Sequence, residues 1–391
     1  MKPQENVSII GAGPAGFALA ADLQRRGRGV LLYSRPDRLR HANKIKDSSQ
    51  DGCHNLHVSG PKTEPFSCQL RVTCDTAEAV SFANIIVLTV PSTGQECIIQ
   101  DLKRFDLRGH IIIAVPGNLF SLIASAEMQV GCILETNLSP YSCRMDSDGK
   151  LLILGKKEVV YIAPLTRRRQ TPRHVYDTVS EIFSMVRLNW CSSIIEVCLA
   201  NVNGVFHPLM MLMNAGRIES TGGDFYLYRE GLTRSVSNAM LAIDKVRMAI
   251  GEAFGLGQVG SAIEISNACY SQGFTCLVDL GQNSPPHNKL RAPESMENRN
   301  LSEDVPDLLV CWCSLAEKLG INASPLRAVI VFAEMATGAE YFSSGRNLKK
   351  LNLEDISAAE LVKRFSPEVH REERIEMTEE IDGLGLIGSR L

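Results

Sequence analysis

Two short stretches carry residue types and spacings that could do chemistry. In VSIIGAGPAGFALAADL, Gly11, Gly13 and Gly16 stand in G-x-G-x-x-G between an apolar run and a helical pattern. The first glycine permits a tight turn, the second lets the backbone approach a pyrophosphate, and the third lets helix and strand pack closely. Ala12, Pro14 and Ala15 fill the turn, and the free N–H groups of the helix start offer positive potential to phosphates. This context predicts a bound dinucleotide. The second stretch is NVNGVFHPLMMLMNAGRIE, where His207 precedes Pro208 at the head of an apolar run. Proline suits the first helical position, so the spacing predicts His207 at the N-terminal edge of a helix. There the dipole disfavours the imidazolium and leaves a neutral ring able to accept a proton. Spacing alone leaves His207 open between such a base and a packed or capping histidine. A base also needs an orienting carboxylate, and composition does not choose among 44 acidic residues.

The identity of the dinucleotide turns on the second strand, which ends LLYSRPDR. NAD and FAD enzymes carry an acidic residue there to hold the ribose hydroxyls. Here Ser34 and Arg35 occupy the place, with Arg38 nearby, and a serine and a guanidinium suit the 2′-phosphate of NADPH better than a free diol. The expectation is NADPH, with NADH as the alternative. GAGPAG also fits an FAD-dependent oxidoreductase, which would purify yellow. A third reading is a non-catalytic dinucleotide sensor, which would bind cofactor without turnover.

These residues need elements to hold them. Asn6 to Ile10, Gly29 to Ser34, Asn84 to Pro91, His110 to Gly117 and Cys132 to Thr136 are apolar runs of the length of strands buried on both faces. Alternation with helical patterns predicts an α/β Rossmann-type, doubly wound parallel sheet, with ligand residues just past the strand C-termini. Val90 and Pro91 fall at such an end and join the cofactor-binding set. From about residue 190 the texture changes. Val236, Met240, Ile243, Val246 and Ile250 form one helical stripe, and Leu308, Trp312, Leu315 and Leu319 repeat it. Ser324-Pro325 reads as an N-cap and first helical residue, and Ser357 to Glu360 as a capping box. Residues 1–190 are thus predicted to bind the dinucleotide, and residues 191–391 to form a mostly α-helical substrate domain. Gln282 to Glu303 reads as a long polar loop, and the tail after Glu368 as a frayed helix.

Composition narrows the classes further. A formal charge of −3, with Lys and Arg dispersed, argues against nucleic acid as the main partner. The basic run Thr166 to His174 reads as a solvated loop. No window approaches about 18 uninterrupted apolar residues, so no membrane span is expected. The twelve cysteines form no CxxC pair, and Cys311 and Cys313 of CWC face apart on a helix, so no metal site is expected. With no secretory signal visible, the expectation is free thiols in a cytoplasmic protein. Oligomeric state is not legible at this level.

Ordered motifs across both halves resemble the opine dehydrogenase family, in particular the octopine and nopaline synthases of crown gall. The first half carries LTVPSTGQ, AVPGN and LETNLSPYSCR in family order. The second carries N-x-x-x-H-P as Asn203 to Pro208, then FYLYREG, SPPHNKLRAPESMENRNLSEDVP, and G-R-x-L-x-x-L-x-L as Gly345 to Leu353. The resemblance runs from the glycine turn to near residue 353. It implies His207 as acid/base, Asp304 as its partner carboxylate, Arg299 as the grip on the keto-acid carboxylate, and Asn203 as a contact to amine or imine. It also implies that Glu135 and Thr136 contact the substrates while Gly117 and Cys143 line the cleft. A basic substrate would need a carboxylate in the pocket, for which Glu135 is the candidate, and a glutamine-type substrate would need amide partners. Asn300 departs from the pattern, which has an aromatic there. His287, in a polar loop, is the rival histidine and ranks below His207. The implied chemistry is NADPH-dependent reductive condensation of an α-keto acid, pyruvate or 2-oxoglutarate, with an amino acid through an imine.

Overall fold

The computed structural model describes residues 5–45, 53–166, 171–257 and 259–367. Its first half is built on one eleven-stranded sheet in the order β11-β10-β7-β6-β5-β1-β2-β4-β3-β9-β8. The strands are β1 (Val7–Ile10), β2 (Val30–Tyr33), β3 (Cys53–Gly60), β4 (Thr63–Thr73), β5 (Ile85–Leu88) and β6 (Leu107–Ala114). They continue with β7 (Val130–Thr136), β8 (Tyr141–Met145), β9 (Leu151–Lys156), β10 (Val159–Pro164) and β11 (Arg187–Trp190). The central strands β7, β6, β5, β1, β2 and β4 pair in parallel, as the buried apolar runs predict. Both of their faces are covered, one by a core that includes Val7, Ile9, Phe17 and Leu32, the other by one that includes Ile10, Ile86, Leu88 and Phe120.

The sheet extends beyond this parallel centre in ways the apolar runs did not reveal. β3 returns antiparallel to β4, β8 pairs antiparallel with β9, and β10 runs antiparallel to β7. β3 and β4 alternate buried and exposed residues, and such half-buried strands carry no continuous apolar run to find. The hairpin β8–β9 brings Cys143 near Arg299 of the second half of the chain.

After Trp190 every described element is helical, apart from one isolated bridge between Tyr226 and Arg291. The stripe from Val236 to Ile250 is buried on helix Arg234–Ala253. Leu308, Trp312 and Leu315 are buried as well, but they straddle a π-helical turn, Val305–Leu309, that leads into helix Val310–Lys318. Ser357 and Glu360 form the expected capping box of helix Ala358–Phe365. The cap before Pro325 lies one residue earlier than the sequence suggested. Ala323 is the N-cap, and the Asn322 side chain accepts from the Ser324 N–H and hydroxyl. The basic run ends in helix Arg173–Ile182 rather than in a loop throughout, and residues 167–170 within it lie outside the described set, as does the tail after Pro367.

One stretch, Ile194–Leu212, has the length and mean hydropathy (1.4) of a membrane-crossing segment, but 83% of its most apolar window is buried inside the protein. It forms two helices, Ile194–Leu199 and Asn203–Leu212, packed in the largest core of the molecule. Its apolarity is that of a core element.

Candidate active site

At the cofactor end, the turn after β1 has the geometry that a pyrophosphate needs. Gly11 takes a φ of +124°, and a Cβ there would come within 2.6 Å of the Thr89 hydroxyl oxygen. That hydroxyl donates to the Gly11 carbonyl at 3.0 Å, locking the turn to the end of β5. A Cβ on Gly16 would collide with the Gly11 carbonyl, so glycine is required for helix Pro14–Arg25 to lie this close to the turn. Gly13 is different: a Cβ there meets nothing within 4 Å, leaving open space in front of the helix. The helix begins at Pro14 with no side-chain cap and no acidic residue in its first turn. Its N–H groups are therefore free to receive phosphate oxygens. These residues fit a dinucleotide. Val90 is half-buried beside the turn, and exposed Pro91 caps helix Ser92–Leu102.

Past β2 the side chains are more engaged than the sequence suggested. The Ser34 hydroxyl is buried and donates to the Arg38 carbonyl at 3.1 Å. Arg35 donates to Asp37 at 3.1 Å and to Asp101 at 2.7 Å. Ser34 is thus turned inward as the structure stands, while Arg35 stays at the cleft edge held by two carboxylates. Arg38 is largely exposed.

In the helical half, His207 Nδ1 lies 2.6 Å from Asp304 Oδ2, across 97 residues of sequence. Both side chains are mostly withdrawn from solvent, at 17% and 8% exposure. With the carboxylate accepting, Nδ1 carries the proton and the Nε2 lone pair is left for a substrate. His207 does not sit at a helix edge. Helix Asn203–Leu212 begins four residues earlier and Pro208 lies inside it. The dipole acts mainly on the first turn, so it is Asp304 that orients the ring, not the helix terminus. Asn203, one turn before His207, shares its face of the helix.

Sequence reasoning missed the residue that makes this pair possible. A Cβ on Gly204 would lie 2.7 Å from the buried ring of Trp312 and 3.1 Å from Leu308. Only glycine lets the helix carrying His207 approach the segment that follows Asp304 so closely. The signal was present as an isolated glycine three residues before a histidine, but nothing local says that Trp312 faces it. The π-helical turn beginning at Val305 is the matching irregularity on the other side, of a kind frequent at functional sites.

The remaining expectations divide sharply. Arg299 opens helix Arg299–Ser302, is 68% exposed, and has only a loose 3.9 Å contact with Glu303, so its guanidinium is available. Cys143 lies on β8 near Arg299 and Lys157, its thiol pushed up to about 12 by burial and therefore uncharged. Glu135 does not serve as a substrate contact. It is fully buried and accepts from the Leu119 N–H at 2.8 Å, the Ser121 N–H at 2.7 Å and the Ser121 hydroxyl. Burial raises its pKa, and these donors with Arg346 oppose the rise. Its role is to hold the start of helix Phe120–Glu127, and Gly117 is glycine because a Cβ would strike that carboxylate. Thr136 is buried too, its hydroxyl donating to the Leu138 carbonyl at 3.1 Å.

The stretch Gln282 to Glu303 is not loop throughout, since it includes helix Arg299–Ser302, and two of its residues stand out. His287 is not an unsupported loop histidine. Its ring packs 5.0 Å from Tyr228 and 5.2 Å from Tyr270, and its Nδ1 meets the Ser284 hydroxyl at 2.7 Å. Burial first, then nearby Lys157 and His207, pull its pKa down to about 4. It is a neutral wall residue close to His207. Asn300, at the position where an aromatic was expected, is half-buried, with its N–H bound to the Asn298 side chain at 3.1 Å.

A second missed residue, Arg346 of the Gly345 to Leu353 motif, joins the two halves. It is 1% exposed and donates to the Gly117 carbonyl at 2.8 Å, the Asn118 carbonyl, and Gln95 Oε1 at 2.6 Å. Asp307 lies 3.3 Å away, and Glu303 accepts from the N–H and hydroxyl of Ser92, both at 3.0 Å. Burial raises the pKa of Asp307, with Arg346 the main opposing influence. Every Rossmann partner in this latch lies just past β5 or β6, where the cleft floor must be.

Comparison with known proteins matches this arrangement. Residues 190–337 match the family model of the NAD/NADP octopine/nopaline dehydrogenase alpha-helical domain, and residues 6–119 that of the NAD-dependent glycerol-3-phosphate dehydrogenase N-terminus. The chain is 28% identical over 366 residues to "Protein ocs" of Agrobacterium tumefaciens (strain Ach5), covering 92% of this chain and 99% of the relative. It is 26% identical over 370 residues to the opine dehydrogenase of Arthrobacter sp. (strain 1C), covering 92% and 98%. Among solved structures, octopine dehydrogenase in complex with NADH and agmatine superposes with a TM-score of 0.71 at 18% identity, covering 91% of this chain and 98% of that one. Yersinopine dehydrogenase with bound NADP+ gives 0.70 at 13% identity, covering 90% and 98%. An N-terminal Rossmann-like domain, a helical C-terminal domain and these relatives together make the chain an NAD(P)H-dependent oxidoreductase similar to the opine dehydrogenases.

Proposed function

We propose that this protein is a cytoplasmic reductive opine synthase that joins an α-keto acid, most simply pyruvate, to an amino acid with NADPH as reductant. Residues 1–190 act as the cofactor half and residues 191–391 as the substrate half. The observation that carries the reading is the 2.6 Å pair between His207 and Asp304, with exposed Arg299 on the same segment as Asp304. His207 Nε2 takes a proton from the donor's ammonium, freeing the amine to attack the keto carbon, and Asp304 stabilises the resulting imidazolium. Loss of water from the adduct gives the imine. NADPH, when bound, supplies the hydride that, with one proton, turns the imine into a secondary amine. Arg299 holds the keto-acid carboxylate with a planar, two-pronged grip that lysine would not reproduce. Asn203 orients the amine from one helical turn away.

Related structures support the substrate class: octopine dehydrogenase has been solved with NADH and L-arginine, and with NADH and pyruvate. Glu135, the candidate receptor for a basic side chain, is sealed against Leu119 and Ser121, so a basic donor would need another carboxylate. NADPH is favoured by Arg35 and Arg38, and a 2′-phosphate on Arg35 would compete with Asp37 and Asp101, of which Asp37 is the more exposed. The test is cofactor oxidation at 340 nm with pyruvate or 2-oxoglutarate and a panel of amino acids. Oxidation that requires both substrates supports the reading, and oxidation with the keto acid alone makes the protein a 2-hydroxyacid dehydrogenase.

A further inference from the structure

Lys157 is a buried cation that the mechanism above does not use. It follows β9 and is 9% exposed. Its backbone N–H donates to the Pro140 carbonyl at 2.9 Å and its ammonium to the Ser139 carbonyl at 2.7 Å. The ammonium also lies 5.8 Å from the centre of the Tyr270 ring. Among the described residues no carboxylate pairs with it. A buried ammonium with one carbonyl and one ring for company is costly unless an anion arrives.

The surroundings say where such an anion would be. Tyr270, His287, Tyr228 and Phe206 form a continuous row of ring contacts from Lys157 to the helix of His207. Lys157 influences His287, as His207 does, and it influences Cys143, as Arg299 does. Lys157 is therefore joined to the helix of His207 by the row of rings, and it shares Cys143 as a neighbour with Arg299. An opine carries two carboxylates, one on each carbon bonded to the secondary amine. Arg299 is assigned to the one that comes from the keto acid.

We infer that Lys157 binds the α-carboxylate of the amino donor, so that the cleft holds its two substrates by two separate cations, Arg299 and Lys157, with the reacting nitrogen between them. This rests on the opine synthase reading and names a residue for its second substrate. It makes an α-amino acid, rather than a simple amine, the obligatory donor, and it leaves side-chain preference to the Tyr270, His287 and Tyr228 wall.

The test compares wild type with Lys157→Gln, which keeps a donor for the Ser139 carbonyl, using an active amino acid and its decarboxylated amine. Wild type is expected to prefer the amino acid by 100-fold or more in kcat/KM. In Lys157→Gln the KM for the amino acid should rise tenfold or more and this preference should collapse, with the KM for the keto acid nearly unchanged. Arg299→Gln should show the mirror pattern, raising the KM for the keto acid. Thermal melting and cofactor affinity measured on the same variants report whether the fold is intact. Equal losses for amino acid and amine, or a loss that follows only a side-chain carboxylate, would overturn the assignment. If wild type oxidises NADPH with no pair of keto acid and amino acid, it is the opine synthase reading itself that fails.

Discussion

Gly13 and Gly204 sit at opposite ends of one cleft and are glycine for opposite reasons. A Cβ on Gly13 would meet nothing within 4 Å, which leaves the space in front of the helix open to a ligand. A side chain on Gly204 would meet Trp312, so the position is reserved for the protein's own packing. The cofactor end is thus a local device, made by six consecutive residues between a strand and a helix. The catalytic end is assembled from residues about a hundred positions apart, and depends on two helical segments approaching more closely than any residue but glycine allows.

The largest effect expected at the catalytic end comes from His207→Ala. Removing a positioned general base costs about 10²- to 10⁴-fold in kcat, while cofactor affinity, measured by fluorescence titration, stays near wild type. Next is Arg346→Ala, which cuts the latch between the ends. It strands Asp307 in a buried site, and breaking one side of such a pair costs about 3–5 kcal/mol of stability in chemical denaturation.

The two glycines then test the contrast itself. Gly204→Ala should destabilise by about 1–3 kcal/mol through overpacking and lower kcat without raising the KM for cofactor. Gly13→Val should do the reverse, leaving the melting temperature near wild type and weakening cofactor binding by about tenfold or more, a cost on the order of 1.4 kcal/mol. If both variants lose stability together and cofactor affinity together, the ends are not separable in the way described.

A pH-dependent effect concerns His287. Its folded pKa is about 4, below the unfolded value, so between those values the unfolded chain binds more protons. The associated stability is full above about pH 6.5 and is lost as pH falls toward 4. Melting temperatures of wild type should drop across that window, and His287→Gln should flatten part of the drop.

How much of this was legible in the sequence follows the same divide. The glycine turn, the parallel strands and the stripe from Val236 to Ile250 were readable because each is encoded by neighbours at fixed spacing. His207 was readable only as a question, since Asp304 lies 97 residues away and its role entered through the resemblance rather than through periodicity. The helix start was misplaced because Pro208 suggested a first helical position, whereas it is tolerated inside the helix. Glu135 was misread because a carboxylate at a strand end looks the same whether it faces a cleft or caps a buried helix. Arg346 and Lys157 went unassigned for a related reason. A lone cation in a sequence does not reveal whether its carbonyl and carboxylate partners come from another domain or from a substrate.

The central claim is that the cleft makes a carbon–nitrogen bond and then reduces it. The most direct measurement follows deuterium from 4-deuterated NADPH, with pyruvate and an active amino acid, by mass spectrometry and NMR of the product. The label should appear on the carbon bonded to nitrogen in a secondary-amine dicarboxylate, and this product should form about 10²- to 10⁴-fold more slowly with His207→Ala. Deuterium on the hydroxyl-bearing carbon of a 2-hydroxy acid, with the amino acid recovered unchanged, would contradict the account.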